Sequence, residues 1–160
     1  MNKSLYFLRH ATAEVIRPNQ LDIDRCLIEK GRLQARRVAD FMQRHNLNVQ
    51  QVFTSPYPRA VQTAAIVCKS AGFAAATEQP WLALETPVEQ AITQLQLLWP
   101  TLAEHTLLVG HEPDFSKLIS RLLGTDIPVI NIRKASLSCI SVSEDLAQAE
   151  LQWSVPARFM

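Results

Sequence analysis

The chain has 160 residues, of which 48% are hydrophobic and 19% are charged, and its formal net charge at pH 7 is +1. This length and balance are typical of one globular domain, so we expect residues 1–160 to fold as a single domain. A charge so near zero provides no overall basic field, which argues against nucleic acid or an anionic membrane as a partner.

The cysteines and apolar runs indicate the class of protein. Cys26, Cys68 and Cys139 are odd in number, widely separated and without a Cys-x-x-Cys pair, which favours neither a disulfide framework nor a zinc site. The apolar run at 5–8 is too short for a secretory signal, and no other stretch is long enough to span a bilayer. We expect a cytoplasmic protein and a monomer.

Taken in chain order, the first half of the sequence alternates strands with helices. The apolar run at 5–8 predicts a first strand, and the polar segment 14–24 predicts a surface loop. Helical spacing of apolar residues predicts a helix over 27–45, which is followed by a strand over 49–54. A second helix is predicted over 60–71.

The second half continues this alternation and ends in a hairpin. The pattern predicts, in order, a strand over 73–77, a helix between Pro87 and Pro100, a strand over 106–109, a helix that ends at Gly124, and two strands over 136–142 and 150–155. Strands that alternate with helices favour a parallel sheet covered on both faces. We therefore predict a three-layer α/β/α sandwich, mostly parallel, with a C-terminal antiparallel hairpin.

Chemically distinctive residues follow three of these strands. Arg9 and His10 follow the first, the segment 55–59 follows the second, and Gly110 and His111 follow the strand at 106–109. In open α/β sheets, ligands bind at the carboxyl ends of the strands. We expect these residues to converge at one edge of the sheet.

Arg9 and Arg59 predict a site for a dianionic phosphoryl group. Arg59 falls in the first turn of a helix, where free N–H groups and the helix dipole favour anions, and a guanidinium group matches phosphate oxygens. The two histidines indicate phosphoryl transfer rather than binding alone, because a neutral imidazole of fixed tautomer is a covalent nucleophile. Ser55 either contacts the phosphate or shapes the turn before Pro56.

Four segments in order resemble the histidine phosphatase superfamily, the phosphoglycerate mutase-like proteins. They are Leu8-Arg9-His10, residues 27–35, Ser55-Pro56 with Arg59, Gln62 and Thr63, and Gly110-His111-Glu112-Pro113. Without a large insertion between Arg59 and His111, the chain is similar to the SixA-type phosphohistidine phosphatases. The resemblance implies that His10 becomes phosphorylated and that Arg9, Arg59 and His111 surround the phosphoryl oxygens, with no metal or other cofactor.

The chain also departs from the superfamily pattern. Ala11 stands where a glycine usually follows the nucleophile, and Ile28 stands where a threonine usually begins the first helix. Val15 and Ile16 occupy the stretch in which mutase-like members carry an asparagine. These differences bear on the phosphate contacts of the loop after His10.

An acid that protonates an alkoxide leaving group separates the candidate functions. Glu85 lies in the region where ester-cleaving relatives carry such an acid, but its surroundings do not match their motif. An imidazole that leaves phosphohistidine needs less acid assistance than an alkoxide. We therefore favour histidine-phosphorylated proteins as substrates. The alternatives are a phosphomonoesterase of the same superfamily that acts on small phosphorylated substrates, and a non-catalytic phosphate-binding module.

Overall fold

The structure, a computed structural model, describes residues 1–160 and contains six strands and four α-helices. In chain order they are β1 (Lys3–Arg9), α1 (Glu29–Arg44), β2 (Gln51–Thr54), α2 (Pro58–Ala71), β3 (Thr77–Glu78), α3 (Val88–Leu98), β4 (His105–Gly110), α4 (Asp114–Leu122), β5 (Leu137–Val142) and β6 (Ala149–Val155). Short 3-10 helices occur at Asp22–Asp24, Pro80–Leu82, Trp99–Thr101, Glu144–Leu146 and Ala157–Phe159. None of the helices combines the length and the apolar character that crossing a bilayer requires.

All six strands form one sheet in the order β3-β2-β4-β1-β5-β6. The first four strands along the chain are parallel, whereas β5 runs antiparallel to β1 and β6 runs antiparallel to β5. The carboxyl ends of β1, β2 and β4 therefore meet at one edge. This arrangement confirms the predicted mixed α/β fold with its C-terminal hairpin.

The sheet separates two apolar cores. Leu8 and its alternate neighbours face α1 and α2, whereas Phe7 and its alternate neighbours face α3 and α4. The inward face of α1 is formed by Ala35, Val38, Ala39 and Met42. Because β1 and β4 are covered on both faces, their central residues 5–8 and 107–109 form continuous apolar runs, as in most parallel central strands.

Among the predicted elements whose boundaries differ in the structure, two show why. The third strand is reduced to Thr77–Glu78, because alanines 74–76 favour extended pairing weakly. Helix α1 begins at Glu29 rather than at residue 27, because Leu27 pairs with Ala13 in an antiparallel bridge and Ile28 keeps an extended backbone. Both differences lie at the ends of elements and leave the strand order unchanged.

Candidate active site

The edge formed by β1, β2 and β4 brings the predicted site residues together. His10 follows β1, Ser55 follows β2 and His111 follows β4. The ring centroids of the two histidines are 5.2 Å apart, and Nε of Arg59 lies 3.3 Å from Nε2 of His10. These four side chains are buried, with exposed fractions of 6% or less. The site is therefore a largely desolvated cluster rather than an open surface.

Hydrogen bonds assign the tautomer of His10. Its Nδ1 lies 2.8 Å from the carbonyl oxygen of Ala11, which accepts only, so Nδ1 carries the proton. Nε2 keeps its lone pair and accepts the Nε–H of Arg59. Burial, together with the neighbouring guanidinium groups, lowers the pKa of His10 to about 4. At neutral pH the imidazole is therefore neutral, and Nε2 is its nucleophilic atom.

Helix α2 anchors the backbone that follows His10. The Ala11 N–H donates to Oγ1 of Thr63 at 3.0 Å, and the Thr63 hydroxyl donates to the carbonyl of Arg59 at 2.7 Å. Ala11 is fully buried and does not adopt a positive φ, so alanine is accommodated where relatives carry glycine. Thr63 thus ties the His10 loop to the helix that carries Arg59.

Helix α1 holds the same loop from the other side. The backbone N–H and the hydroxyl of Thr12 both donate to Oε1 of Gln34 at 2.9 Å. Gly31 packs so closely that a Cβ there would lie 2.1 Å from the Thr12 carbonyl oxygen, which also accepts the Ile28 N–H at 3.2 Å. The Thr12 hydroxyl is therefore engaged with Gln34.

Ser55 connects the turn after β2 to His111. Its Oγ lies 2.8 Å from Nε2 of His111 and accepts the Tyr57 N–H at 3.1 Å. Ser55 thus shapes the turn and also reaches the site. Burial, followed by the effects of His10 and Arg59, lowers the pKa of His111 to about 3, so this ring is neutral as well. Its buried Nδ1 makes no hydrogen bond within the protein.

The two arginines are held by different contacts. Nη1 and Nη2 of Arg59 donate to the carbonyl and the carboxylate of Asp22, at 2.9 and 3.1 Å. Arg9 donates from Nη1 to the carbonyl of Ile132 at 3.1 Å, while its Nε is buried without a protein partner. Nδ1 of His111 and Nε of Arg9 are therefore two buried polar atoms of this site that the protein leaves without hydrogen bonds.

Asp22 is a residue of this cluster that sequence reasoning missed. It lies in the 3-10 turn Asp22–Asp24, within the segment predicted as a surface loop, and its carboxylate pairs with Arg25 at 2.9 Å as well as with Arg59. These arginine contacts hold the pKa of Asp22 below its ordinary value, the hydrogen bond from Arg25 contributing most. No sequence pattern distinguishes Asp22 from Asp24.

Glu85 lies outside this network. It is exposed with a left-handed φ of 70°, and its backbone N–H donates to Oδ2 of Asp114 at 2.8 Å. Its own carboxylate makes no hydrogen bond or ion pair. The structure therefore gives Glu85 no contact with His10, Arg9, Arg59 or His111.

The donor set of the site suits an anion. Nowhere in the chain do three or more His, Cys, Asp or Glu side chains gather in a way that could hold a metal ion. The groups that converge on His10 are instead a guanidinium pair and a second imidazole. Two guanidinium groups beside a neutral nucleophile match a phosphoryl group chemically.

Comparison with solved structures finds the same fold. The protein histidine phosphatase SixA, solved with tungstate, gives a TM-score of 0.88 at 20% identity, over 98% of each chain. A structure assigned to a phosphohistidine phosphatase of the SixA type from Agrobacterium tumefaciens gives 0.82 at 20% identity, over 96% of this chain and 97% of that one. A mycobacterial glucosyl-3-phosphoglycerate phosphatase gives 0.77 at 16% identity, over 95% and 98%.

Sequence comparison adds the family. No curated protein sequence matches the chain. The family model for the histidine phosphatase superfamily, branch 1, matches residues 5–83, the segment that contains Arg9, His10, Ser55 and Arg59. Residues 5–83 therefore match the histidine phosphatase superfamily in sequence, and nearly the whole chain shares its fold with the solved phosphatase SixA.

Proposed function

We propose that the protein removes phosphoryl groups from histidine-phosphorylated proteins through a covalent phosphohistidine formed at His10. The observation that carries this proposal is the state of His10: a buried neutral imidazole whose proton is held at Nδ1 by Ala11, leaving the Nε2 lone pair beside Arg59. A site that only bound phosphate would have no need of a nucleophile with a fixed tautomer.

In the first step, Nε2 of His10 attacks the phosphorus of the substrate phosphohistidine. A P–Nε2 bond forms, the P–N bond of the substrate breaks, and the freed imidazole takes up a proton. Arg59 exchanges its contact with Nε2 for a phosphoryl oxygen, and Arg9 neutralises charge on the same group. His111 contributes its Nδ1–H when the Ser55 hydroxyl donates to its Nε2. Such positioning and charge stabilisation supply most of the catalysis in phosphoryl transfer.

In the second step, water attacks the phosphorus of phospho-His10. A P–O bond forms, the P–Nε2 bond breaks, and inorganic phosphate leaves as H₂PO₄⁻ with both protons of the water. His10 returns to its neutral form with its proton still on Nδ1, from which it is donated to the Ala11 carbonyl in both steps. The hydrogen bond from Nδ1 therefore serves both steps by keeping Nε2 directed at phosphorus.

The contacts of the acidic residues support phosphohistidine rather than an ester as the substrate. No carboxylate hydrogen-bonds to His10 or His111, and Glu85 is exposed. An alkoxide leaving group needs a proton donor in the transition state, whereas imidazole leaves with far less help. The groups that contact His10 thus suffice for phosphohistidine cleavage.

A small-molecule phosphomonoesterase is the second candidate, and one observation favours it. Asp114 follows His111 by three residues, is partly buried, and accepts the Glu85 N–H at 2.8 Å. Burial raises the pKa of Asp114, which is the direction that suits a proton donor. Under this alternative, Asp114→Asn abolishes ester hydrolysis while Glu85→Gln retains it.

Phosphate release from a histidine-phosphorylated phosphotransfer domain, measured beside a panel of O-phosphomonoesters in the presence of chelator, tests the proposal. We expect fast release from phosphohistidine, loss of that release in His10→Ala, and retention in His45→Ala, which alters an exposed histidine at the end of α1. Faster turnover of esters than of phosphohistidine would contradict the proposal and favour the second candidate.

A further inference from the structure

A basic groove lies beside the candidate active site. It is a cavity of about 610 Å³ whose charged lining residues are all cations: Lys30, Arg37, Arg133, Lys134 and Arg158. We define the basic groove by these five residues. They come from α1, the turn before β5 and the C-terminal 3-10 helix. No Asp or Glu lines the cavity.

The cations of the basic groove are unpaired. All five are exposed, and none of their side chains takes part in an ion pair or a hydrogen bond, unlike Arg36 and Arg44 on the same helix, which pair with Glu29 and Asp40. The chain has 16 Lys and Arg residues, so five in this groove leave 11 elsewhere against 15 Asp and Glu. Arg32, Lys69 and Lys117 also lack ion pairs and side-chain hydrogen bonds, so the groove gathers five of the eight unpaired cations of a nearly neutral protein.

Two walls of the basic groove attach directly to the nucleophile loop. Ala135, which follows the cations Arg133 and Lys134, donates its N–H to the carbonyls of Arg9 and His10 at 3.1 and 3.2 Å. On the opposite wall, Gln34 lines the cavity and accepts both hydrogen bonds from Thr12. Residues that line or directly follow the groove lining are thus hydrogen-bonded to the backbone of residues 9–12, which places the groove next to the loop that carries His10.

We infer that the basic groove binds a carboxylate-rich surface of the phosphoprotein substrate next to its phosphorylated histidine. The inference rests on the proposed function for the identity of the partner. Exposed, unpaired cations accelerate association and select partners by complementary charge, while a small-ligand pocket has convergent, partly buried polar groups. The five cations are exposed and spread over three elements, so an acidic protein surface fits them better than a compact anion does.

Charge reversal separates this role from catalysis. We expect Arg133→Glu combined with Lys134→Glu to lower kcat/KM on an acidic histidine-phosphorylated phosphotransfer domain by about tenfold or more, chiefly through KM, with a smaller effect in high salt. Turnover of free phosphohistidine stays within about twofold of the unaltered protein, because the site residues are untouched. Arg36→Glu combined with Arg44→Glu is the matched control, because it makes the same charge change on the exposed face of α1. We expect it to alter the turnover of neither substrate.

The partner side provides the reciprocal test. Changing the carboxylates beside the phosphorylated histidine of that domain to amides is expected to remove the difference between the groove variant and the unaltered protein. An equal loss in the Arg36/Arg44 control, or no loss in the groove variant, would overturn the inference. If Arg133→Glu with Lys134→Glu fails to fold, Arg37→Gln with Arg158→Gln tests the same prediction.

A fluorescent oligoglutamate peptide distinguishes failure of this inference from failure of the proposed function. Salt-sensitive binding that the groove variant loses supports the basic groove as a site for acidic polypeptide, even if phosphohistidine turnover is slow. Hydrolysis of phosphohistidine without any peptide binding overturns the groove alone. Loss of phosphohistidine turnover in every assay, with peptide binding intact, contradicts the proposed function and not the groove.

Discussion

The arginines of the site and the cations of the basic groove have opposite surroundings. Arg59 is 3% exposed, and its guanidinium nitrogens contact His10 and Asp22. Arg133 and Lys134 are exposed and have no side-chain partners. A buried charge must be paired by neighbouring protein groups, and these contacts fix its geometry. An exposed charge acts mainly by attracting an oppositely charged partner. Under the proposed function, chemistry and recognition fall to separate cations, which mutations can address one at a time.

The largest effect on turnover is expected from substitution of the buried Arg59. Arg59→Ala should lower kcat on free phosphohistidine by about 10²–10³, the range for loss of one donor to a developing charge. Arg59→Lys should recover only part of it, because an ammonium group lacks the planar fork that reaches Nε2 of His10 and Asp22 together. Arg36→Ala, at an exposed position of α1, is the control. A loss below about tenfold would break the distinction between the two sets of cations.

Helix α1 both lines the basic groove and packs on the loop after His10, and the next largest effect is expected from a substitution in this helix. Gly31→Ala places a Cβ against the carbonyl of Thr12, so we expect a loss of about 1–3 kcal/mol in the free energy of unfolding. Displacement of the Thr12 backbone should also reduce kcat, because His10 is two residues away. Urea denaturation measures the first effect, with the exposed Leu33→Ala on the same helix as control. Unchanged stability would show that α1 does not clamp the nucleophile loop.

A smaller effect is expected at Asp22, the anion that occupies Arg59. Asp22→Asn removes a negative charge while keeping an oxygen for the guanidinium, so the inhibition constant for inorganic phosphate should fall by about two- to fivefold. The effect is modest because the Asp22 side chain is 43% exposed and solvent screens its charge. Asp24→Asn in the same turn should leave phosphate inhibition unchanged. Weaker phosphate binding by Asp22→Asn would mean that Asp22 positions Arg59 rather than competing for it.

On mild acidification, we expect the protonation of His10 and His111 to change very little. With pKa values of about 4 and about 3, His10 and His111 should remain neutral at pH 5.5, where an ordinary histidine is about 90% protonated. Nitrogen-15 chemical shifts of the imidazoles measure this directly. Because unfolding restores an ordinary pKa near 6.5, the unfolded chain binds more protons below that pH, and stability should fall as pH falls from 6.5 towards 4. Protonation of His10 near pH 6.5 would contradict the buried, neutral nucleophile.

The sequence predicts the site better than its surroundings. His10, Ser55, Arg59 and His111 could be placed together because strand ends converge by simple topology. Asp22 could not be identified, since its contact with Arg59 depends on the path of a loop. The basic groove escaped prediction for a similar reason: Lys30 and Arg158 are far apart in the chain, and packing of the C-terminal turn on α1 brings them together. Periodicity encodes the faces of elements, whereas tertiary packing decides which loops meet.

The most direct test of the central claim is to detect the phosphorylated intermediate. The protein would be mixed with a histidine-phosphorylated phosphotransfer domain, quenched in base during turnover, and analysed by peptide mass spectrometry and phosphorus NMR. We predict a phosphoryl group on Nε2 of His10 that forms and decays at least as fast as phosphate is released. Phosphate release at full rate with no phosphorylated His10, or with the group on another residue, would contradict the account.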